Sequence, residues 1–172
     1  NPMNRIITLN SDGTKDSNFN LGNGLGWSVY RFVQQSNNKI IISGGFNSYK
    51  RLFTSNFIRL NTDGSLDSSF NSGNGFDSVV TVIKTLSDGK MIVGGWFDSY
   101  NGINSKKIIR LNIDGSKDNT FNIGNGFNQN INAIAIQNDG KIIAGGSFTT
   151  FNNIPVNGLI RLNPDGTIDN SF

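Results

Sequence analysis

The pair Leu-Asn falls at residues 9–10, 60–61, 111–112 and 162–163, each time 51 residues after the last and with no insertion between. Around the last three of these pairs the same string recurs, I-R-L-N-x-D-G-x-x-D. Upstream of it stands K-x-I-x-x-G-x-F, and F-N-x-G-N-G opens each copy, with a Phe at 19, 70, 121 and 172. A strict period of this length admits few architectures, because one unit must bury its apolar residues against copies of itself. The units run 19–69, 70–120 and 121–172, and residues 1–18 supply half a unit, all within one domain.

The apolar pattern inside a unit is that of strands. Residues 77–86 (DSVVTVIKTL) and their equivalents SVYRFVQQ and INAIAIQN form a first strand, and KMIVGG a second that is apolar on both faces. SDGK or NDGK joins them, with an Asp-Gly pair suited to the positive φ of a hairpin turn. IIRLN is a third strand and SKDNTF a short fourth, joined by a second Asp-Gly turn. Each unit is therefore expected to be a four-stranded antiparallel meander, and the chain an all-β protein of about three and a half β-propeller blades. The aromatic columns Phe46/Phe97/Phe148 and Tyr49/Tyr100/Phe151 are expected to fill the space between blades. In the first unit SNNK replaces SDGK, and KRLF at 50–53 replaces an Asn-Gly turn, which predicts an altered loop there.

The strings DGKMIVGGWFDSYNG and IIRLNIDGSKDNTFN resemble the delta-60 repeat family, predicted bacterial β-propeller repeats of unknown function found in large secreted and surface proteins. The resemblance covers essentially the whole chain. It implies the propeller fold and an extracellular or cell-surface setting, but no activity. The chain opens NPMNR rather than on methionine, which we read as a mature or excised segment.

Three and a half blades fall short of the four that a ring needs. The chain is expected to be an arc of a larger propeller, or to join an open assembly. Either way its partners at the open strand edges are further repeats of the parent chain or other protein chains.

Composition narrows the chemistry. There is no Cys or His, and all twelve acids are Asp. This removes thiolate chemistry and the commonest general base and metal ligand. The net charge of +3 is scattered, unlike a nucleic-acid groove, and no apolar run approaches the ~20 residues of a membrane span. Ten acids recur with the repeat, in turns or just after them, which leaves Asp77 and Asp98 as singletons. The expectation is a protein that is not an enzyme, a scaffold and protein-interaction surface without cofactor. A polysaccharide hydrolase or lyase stands well behind it.

Two alternatives attach to particular residues. The N-x-D-G-S-x-D cluster offers hard oxygens, so Asp63, Asp67, Asp114 and Asp118 form a weak calcium candidate, although the order departs from the EF-hand loop. Columns that vary are freer to carry function. Trp96 stands where the other units have Gly45 and Ser147, and Trp27 where they have Ser78 and Gln129; both are expected first as gap fillers between blades. The alternative is a lectin-like glycan platform of Trp96, Asp98 and Tyr100, since aromatic faces suit sugar rings. Arg31 and Lys84 fall at inner-strand positions and would give a central channel a positive lining. The glycines of FNLGNGLGW (19–27) have phosphate-loop spacing, but Gly22 and Gly24 recur in every copy and mark the passage between blades; Gly26 alone has no counterpart.

Overall fold

The computed structural model describes residues 6–172, and no helix occurs among them. Tight turns set the hairpins. At Gln35, Leu86 and Gln137 the main-chain N–H donates to the carbonyl of Lys39, Lys90 and Lys141. The turns take positive φ at Asn38 (62°), Gly89 (83°) and Gly140 (81°). The first unit then contains β1 (Val29–Gln34), β2 (Ile40–Gly44), β3 (Ser48–Tyr49), β4 (Leu52–Phe53) and β5 (Phe57–Leu60). The second contains β6 (Val80–Thr85), β7 (Met91–Gly95), β8 (Ser99–Tyr100), β9 (Ile103–Asn104) and β10 (Ile108–Leu111). The third repeats this as β11 (Ile131–Ile136), β12 (Ile142–Gly146), β13 (Thr150–Phe151), β14 (Ile154–Pro155) and β15 (Leu159–Leu162).

The main sheets are antiparallel, in the orders β1-β2-β5, β6-β7-β10 and β11-β12-β15. The middle strand is apolar on both faces because both faces are covered: Ile41, Ile42, Met91, Ile92 and Val93 are all fully buried. Each first strand carries a bulge at the same place, between Val29 and Arg31, Val80 and Val82, and Ile131 and Ala133.

The structure differs from the sequence expectation in two places. The fourth strand shrinks to one bridging residue, Leu60 with Leu66, Leu111 with Lys117 and Leu162 with Ile168. The ladder stops because Asp67, Asp118 and Asp169 accept the N–H of Ser69, Thr120 and Ser171 on their own carboxylates. The loop between second and third strands instead folds into a miniature hairpin: β3 with β4, β8 with β9, and β13 with β14. Nor does the first unit have an altered loop. Lys50 and Arg51 take the left-handed φ of 50° and 68°, as Asn152 and Asn153 do at 52° and 64°. Of the half unit at 1–18, residues 1–5 lie outside the described residues, and the rest contributes the bridge of Leu9 with Lys15.

The core lies between units. Ile41 and Phe57 of the first unit pack with Phe76, Val80, Met91, Phe97 and Tyr100 of the second. Ile92 and Ile108 of the second do the same with Phe127, Ile131, Phe148 and Phe151 of the third. Phe57 meets Phe76 edge-on, with ring centroids 5.0 Å apart. The aromatic columns are thus the fillers between units, as expected.

Candidate functional site

Two devices hold the units together, the first built wholly from residues that recur in every unit. The first is a latch around one carboxylate. Oδ2 of Asp118 accepts from Lys90 Nζ at 2.8 Å and Arg110 Nε at 2.7 Å, and Oδ1 from Thr120 N and Oγ1 at 2.9 and 2.7 Å. Lys39, Arg59, Ser69 and Asp67 repeat the latch, as do Lys141, Arg161, Ser171 and Asp169. Burial alone would raise the pKa of Asp67 and Asp118. The Lys, hydroxyl, backbone and Arg donors outweigh it and hold both carboxyls well below the usual range. At Asp169 the Ser171 hydroxyl leads, with Lys141 and Arg161, in the same direction. Each guanidinium also stacks on the Phe that opens the next repeat, Arg59 on Phe70 at 4.7 Å and Arg110 on Phe121 at 5.0 Å.

The second device is the seam. Arg59 Nη1 donates to the Ile113 carbonyl and Arg110 Nη1 to the Pro164 carbonyl, in each case the second Asp-Gly turn of the following unit. Asn56 grips the backbone of Phe76 at both ends, accepting from its N–H at 2.9 Å and donating to its carbonyl at 2.7 Å. The seam leaves the second glycine of the motif no room for a side chain, whatever residue faces it: a Cβ on Gly126 would sit 2.4 Å from Lys106 Cβ. Gly75 has φ of 75°, and a Cβ on it would sit 2.3 Å from Asn56 Oδ1. On the inner side, Arg31 Nε donates to the Thr81 carbonyl, and Thr81 Oγ1 donates to the Ile131 carbonyl at 2.6 Å. Arg31 therefore ties two inner strands together, with its Nη1 on the Tyr30 carbonyl at 2.6 Å. Lys84, two residues past the Arg31 column, is exposed on β6.

The second unit alone carries a charged cluster on its loops. Asp98 Oδ1 receives Lys107 Nζ at 3.1 Å and Lys106 Nζ at 3.4 Å. The Lys107 hydrogen bond leads in lowering its pKa. Lys107 Nζ also donates to the Trp96 carbonyl at 3.0 Å. Asp77 lies beside it: Oδ1 accepts from Asp98 N at 3.0 Å and Oδ2 from Ser99 Oγ at 2.9 Å. Asn128 performs the same service for Thr149 and Thr150 in the third unit. In the first unit a Cβ on Gly26 would lie 2.2 Å from Ser48 Oγ, which accounts for the glycine there.

Two expectations about this face change. Tyr100 does not belong to it: it is 2% exposed, wedged against Phe57 and Phe76, and its hydroxyl donates to the Gly115 carbonyl at 2.8 Å. The tryptophans do not fill gaps between blades. Trp96 is 47% and Trp27 62% exposed, and Trp27 Cδ1 lies 3.0 Å from where a Cβ on Gly45 would be. Gly45 is the first-unit equivalent of Trp96, so two units bring a Trp to corresponding places from different columns.

The calcium candidates Asp63, Asp67, Asp114 and Asp118 split into two kinds. Asp67 and Asp118 already hold two cationic side chains each, in the place a metal ion would take. Asp63 and Asp114 accept the N–H and hydroxyl of Ser65 and Ser116 within their turns. Among the described residues no three carboxylates gather as a metal site would require.

The cation partners of the aspartates escaped the sequence reading, which weighed each acid alone. The signal was present: Lys and Arg precede the Asp by 28 and 8 residues in all three units.

A family model described as a domain of unknown function (DUF5122) beta-propeller matches residues 35–70, 86–121 and 137–172. The chain belongs to this family. Each matched stretch opens in the turn between first and second strands and closes on the Phe that stacks on the latch arginine, so each spans one whole latch. The resemblance read from the sequence therefore holds as a β-propeller repeat family related to the one named there. No curated protein matches the chain.

Proposed function

We propose that the chain is a non-enzymatic scaffold that displays loops for interaction, set in an extracellular or cell-surface protein as the delta-60 resemblance implies. One observation carries the non-enzymatic part. With no His, Glu or Cys, the twelve aspartates are the chain's whole stock of side-chain carboxylates, and every one accepts a hydrogen bond in a turn, a latch or the loop cluster of the second unit. Asp77 and Asp98, the two outside the repeat, sit side by side but are tied to the backbone and to two lysines. A general acid and base pair needs carboxylates free to exchange protons with a substrate between them.

The exposure of Trp96 beside the Asp98–Lys106–Lys107 cluster supports a second reading, a glycan contact on the loops of the second unit. An exposed indole face with charged hydrogen-bonding groups at its edge suits a sugar ring. A glycan array probed with the protein and with Trp96→Ala separates the two. Binding lost in the variant establishes the contact, and uniform silence leaves the scaffold. Turnover of a polysaccharide panel that disappears in Asp98→Ala would overturn the non-enzymatic reading altogether.

A further inference from the structure

One end of the fold carries an apolar column that is left exposed. Ile40 pairs with both Gln34 and Leu60, so both turns of a unit lie together at one end, and the miniature hairpins lie at the other. The second strand of each miniature hairpin is exposed along its whole length: Leu52-Phe53, Ile103-Asn104 and Ile154-Pro155. Leu52, Ile103 and Ile154 share one column of the repeat, yet they are 45 to 65% exposed, and Phe53 is 93% exposed. The ends of the chain do not account for this, because Ile103 belongs to the middle unit, which packs against a unit on either side. Trp27, just ahead of β1, and Trp96, just after β7, open onto the same end. Charge divides along the same axis. The turn end carries the exposed carboxylates of Asp63, Asp88, Asp114, Asp139 and Asp165. At the hairpin end, Lys50 and Arg51 form the tip of the first miniature hairpin and Lys106 flanks the second. The acids there, Asp77 and Asp98, are already held by the backbone, Ser99 and two lysines.

We propose that the hairpin end docks on the surface of an anionic lipid bilayer. Leu52, Phe53, Ile103, Ile154 and the two tryptophans enter the boundary between headgroups and acyl chains, and Lys50, Arg51 and Lys106 meet the lipid phosphates. Two observations favour a bilayer over a protein partner. At 93% exposure Phe53 lines no groove, so its occupant must mould itself around the ring. The exposed positions also keep apolar character without keeping shape: Leu-Phe, Ile-Asn and Ile-Pro stand in successive units, and the tryptophans come from two different columns. A protein pocket reads shape, whereas a fluid interface reads only apolarity and charge. This docking takes the scaffold reading as given and names its partner.

The full chain is mixed with vesicles of phosphatidylcholine alone and of phosphatidylcholine with phosphatidylglycerol. Binding is read by co-sedimentation and by the emission of the two tryptophans. The expected result is binding to the anionic vesicles with a blue shift of the emission. Leu52→Ser with Phe53→Ser weakens it about tenfold or more, and Lys50→Gln or Arg51→Gln alone about fivefold. Ile113→Ser removes a side chain of similar exposure, 51%, at the turn end and leaves binding unchanged, while circular dichroism checks that each variant is folded. No binding to anionic vesicles, or equal binding by the wild type and the Leu52/Phe53 variant, would overturn the proposal. The scaffold reading is then decided separately on the glycan array, where Trp96→Ala and none of these variants is the probe. A dimer in light scattering that Phe53→Ser disperses would also overturn the proposal, since the face would then meet a second copy.

Discussion

Replacing Asp118 by Asn tests whether the latch carries the stability assigned to it. The side chain keeps its shape and its bonds from Thr120 N and Oγ1, so the turn survives. What changes is Oδ2, which becomes an amide facing two cations 2.8 and 2.7 Å away. Asp118 is buried and Arg110 nearly so, and stripping a buried cation of its partner costs about 3–5 kcal/mol. Lys90 is about a third exposed and recovers water, which places the loss near the lower end, about 3 kcal/mol. For a chain of this size that corresponds to a fall of about 6–12 °C in Tm. Asp114→Asn is the control: the carboxylate is exposed, accepts only from Ser116, and an amide oxygen can replace it, so the cost stays within about 0.5 kcal/mol. Thermal and urea unfolding followed by circular dichroism measure both. Equal losses in the two variants would refute the latch and leave Asp118 an ordinary turn residue.

The latch also fixes the direction of pH dependence. Asp67 and Asp118 have folded pKa values below the ~3.9 of an unfolded Asp, so their stabilisation is complete above about pH 4 and is lost as pH falls through the depressed folded values. With no histidine, Tm should be flat between about pH 5 and 8; a transition inside that window would contradict this. On the alkaline side burial, aided by the charge of Asp63, pushes Tyr49 up to about 12, so stability present below about pH 10 is lost as pH climbs toward 12. Added calcium should leave Tm unchanged, because Lys and Arg already occupy the Asp67 and Asp118 oxygens; a calcium-dependent rise abolished by Asp118→Ala would reverse that conclusion.

The period made the architecture legible. It located the three-stranded cores, the Asp-Gly hairpins and the aromatic columns, because each apolar column must serve the same contact in every unit. It failed where local signals were too short or were diverted. A two-residue strand such as β3 or β8 offers no alternation to read, and Lys50-Arg51 is not a pair whose chemistry announces left-handed φ. The fourth strand looked longer than it is because a side-chain carboxylate takes the N–H that a ladder would have used. Tyr100 was misplaced on the contact face although its column partners, Tyr49 and Phe151, already argued for burial. The tryptophans were the reverse case. A residue without counterparts in its column inherits no burial from the period, and both proved exposed.

The pattern of sameness and variation follows the division of labour in the structure. Residues repeated three times are those that meet the next unit or fix the turn that meets it: the latch trio, the seam glycines, the Phe between units. A change there would have to be matched across a boundary, because Arg59 reaches a carbonyl 54 residues away and Gly75 has no room for a side chain. The columns Gly45/Trp96/Ser147 and Asn47/Asp98/Thr149 lie on the loops, and there neighbouring units carry unrelated chemistry on the same backbone. Trp27 over Gly45 makes the point from the other side, since an indole reaches that place from a different part of the unit. A fold whose stability sits in the seams leaves its loop face free to differ from blade to blade, and that freedom is what an interaction scaffold requires.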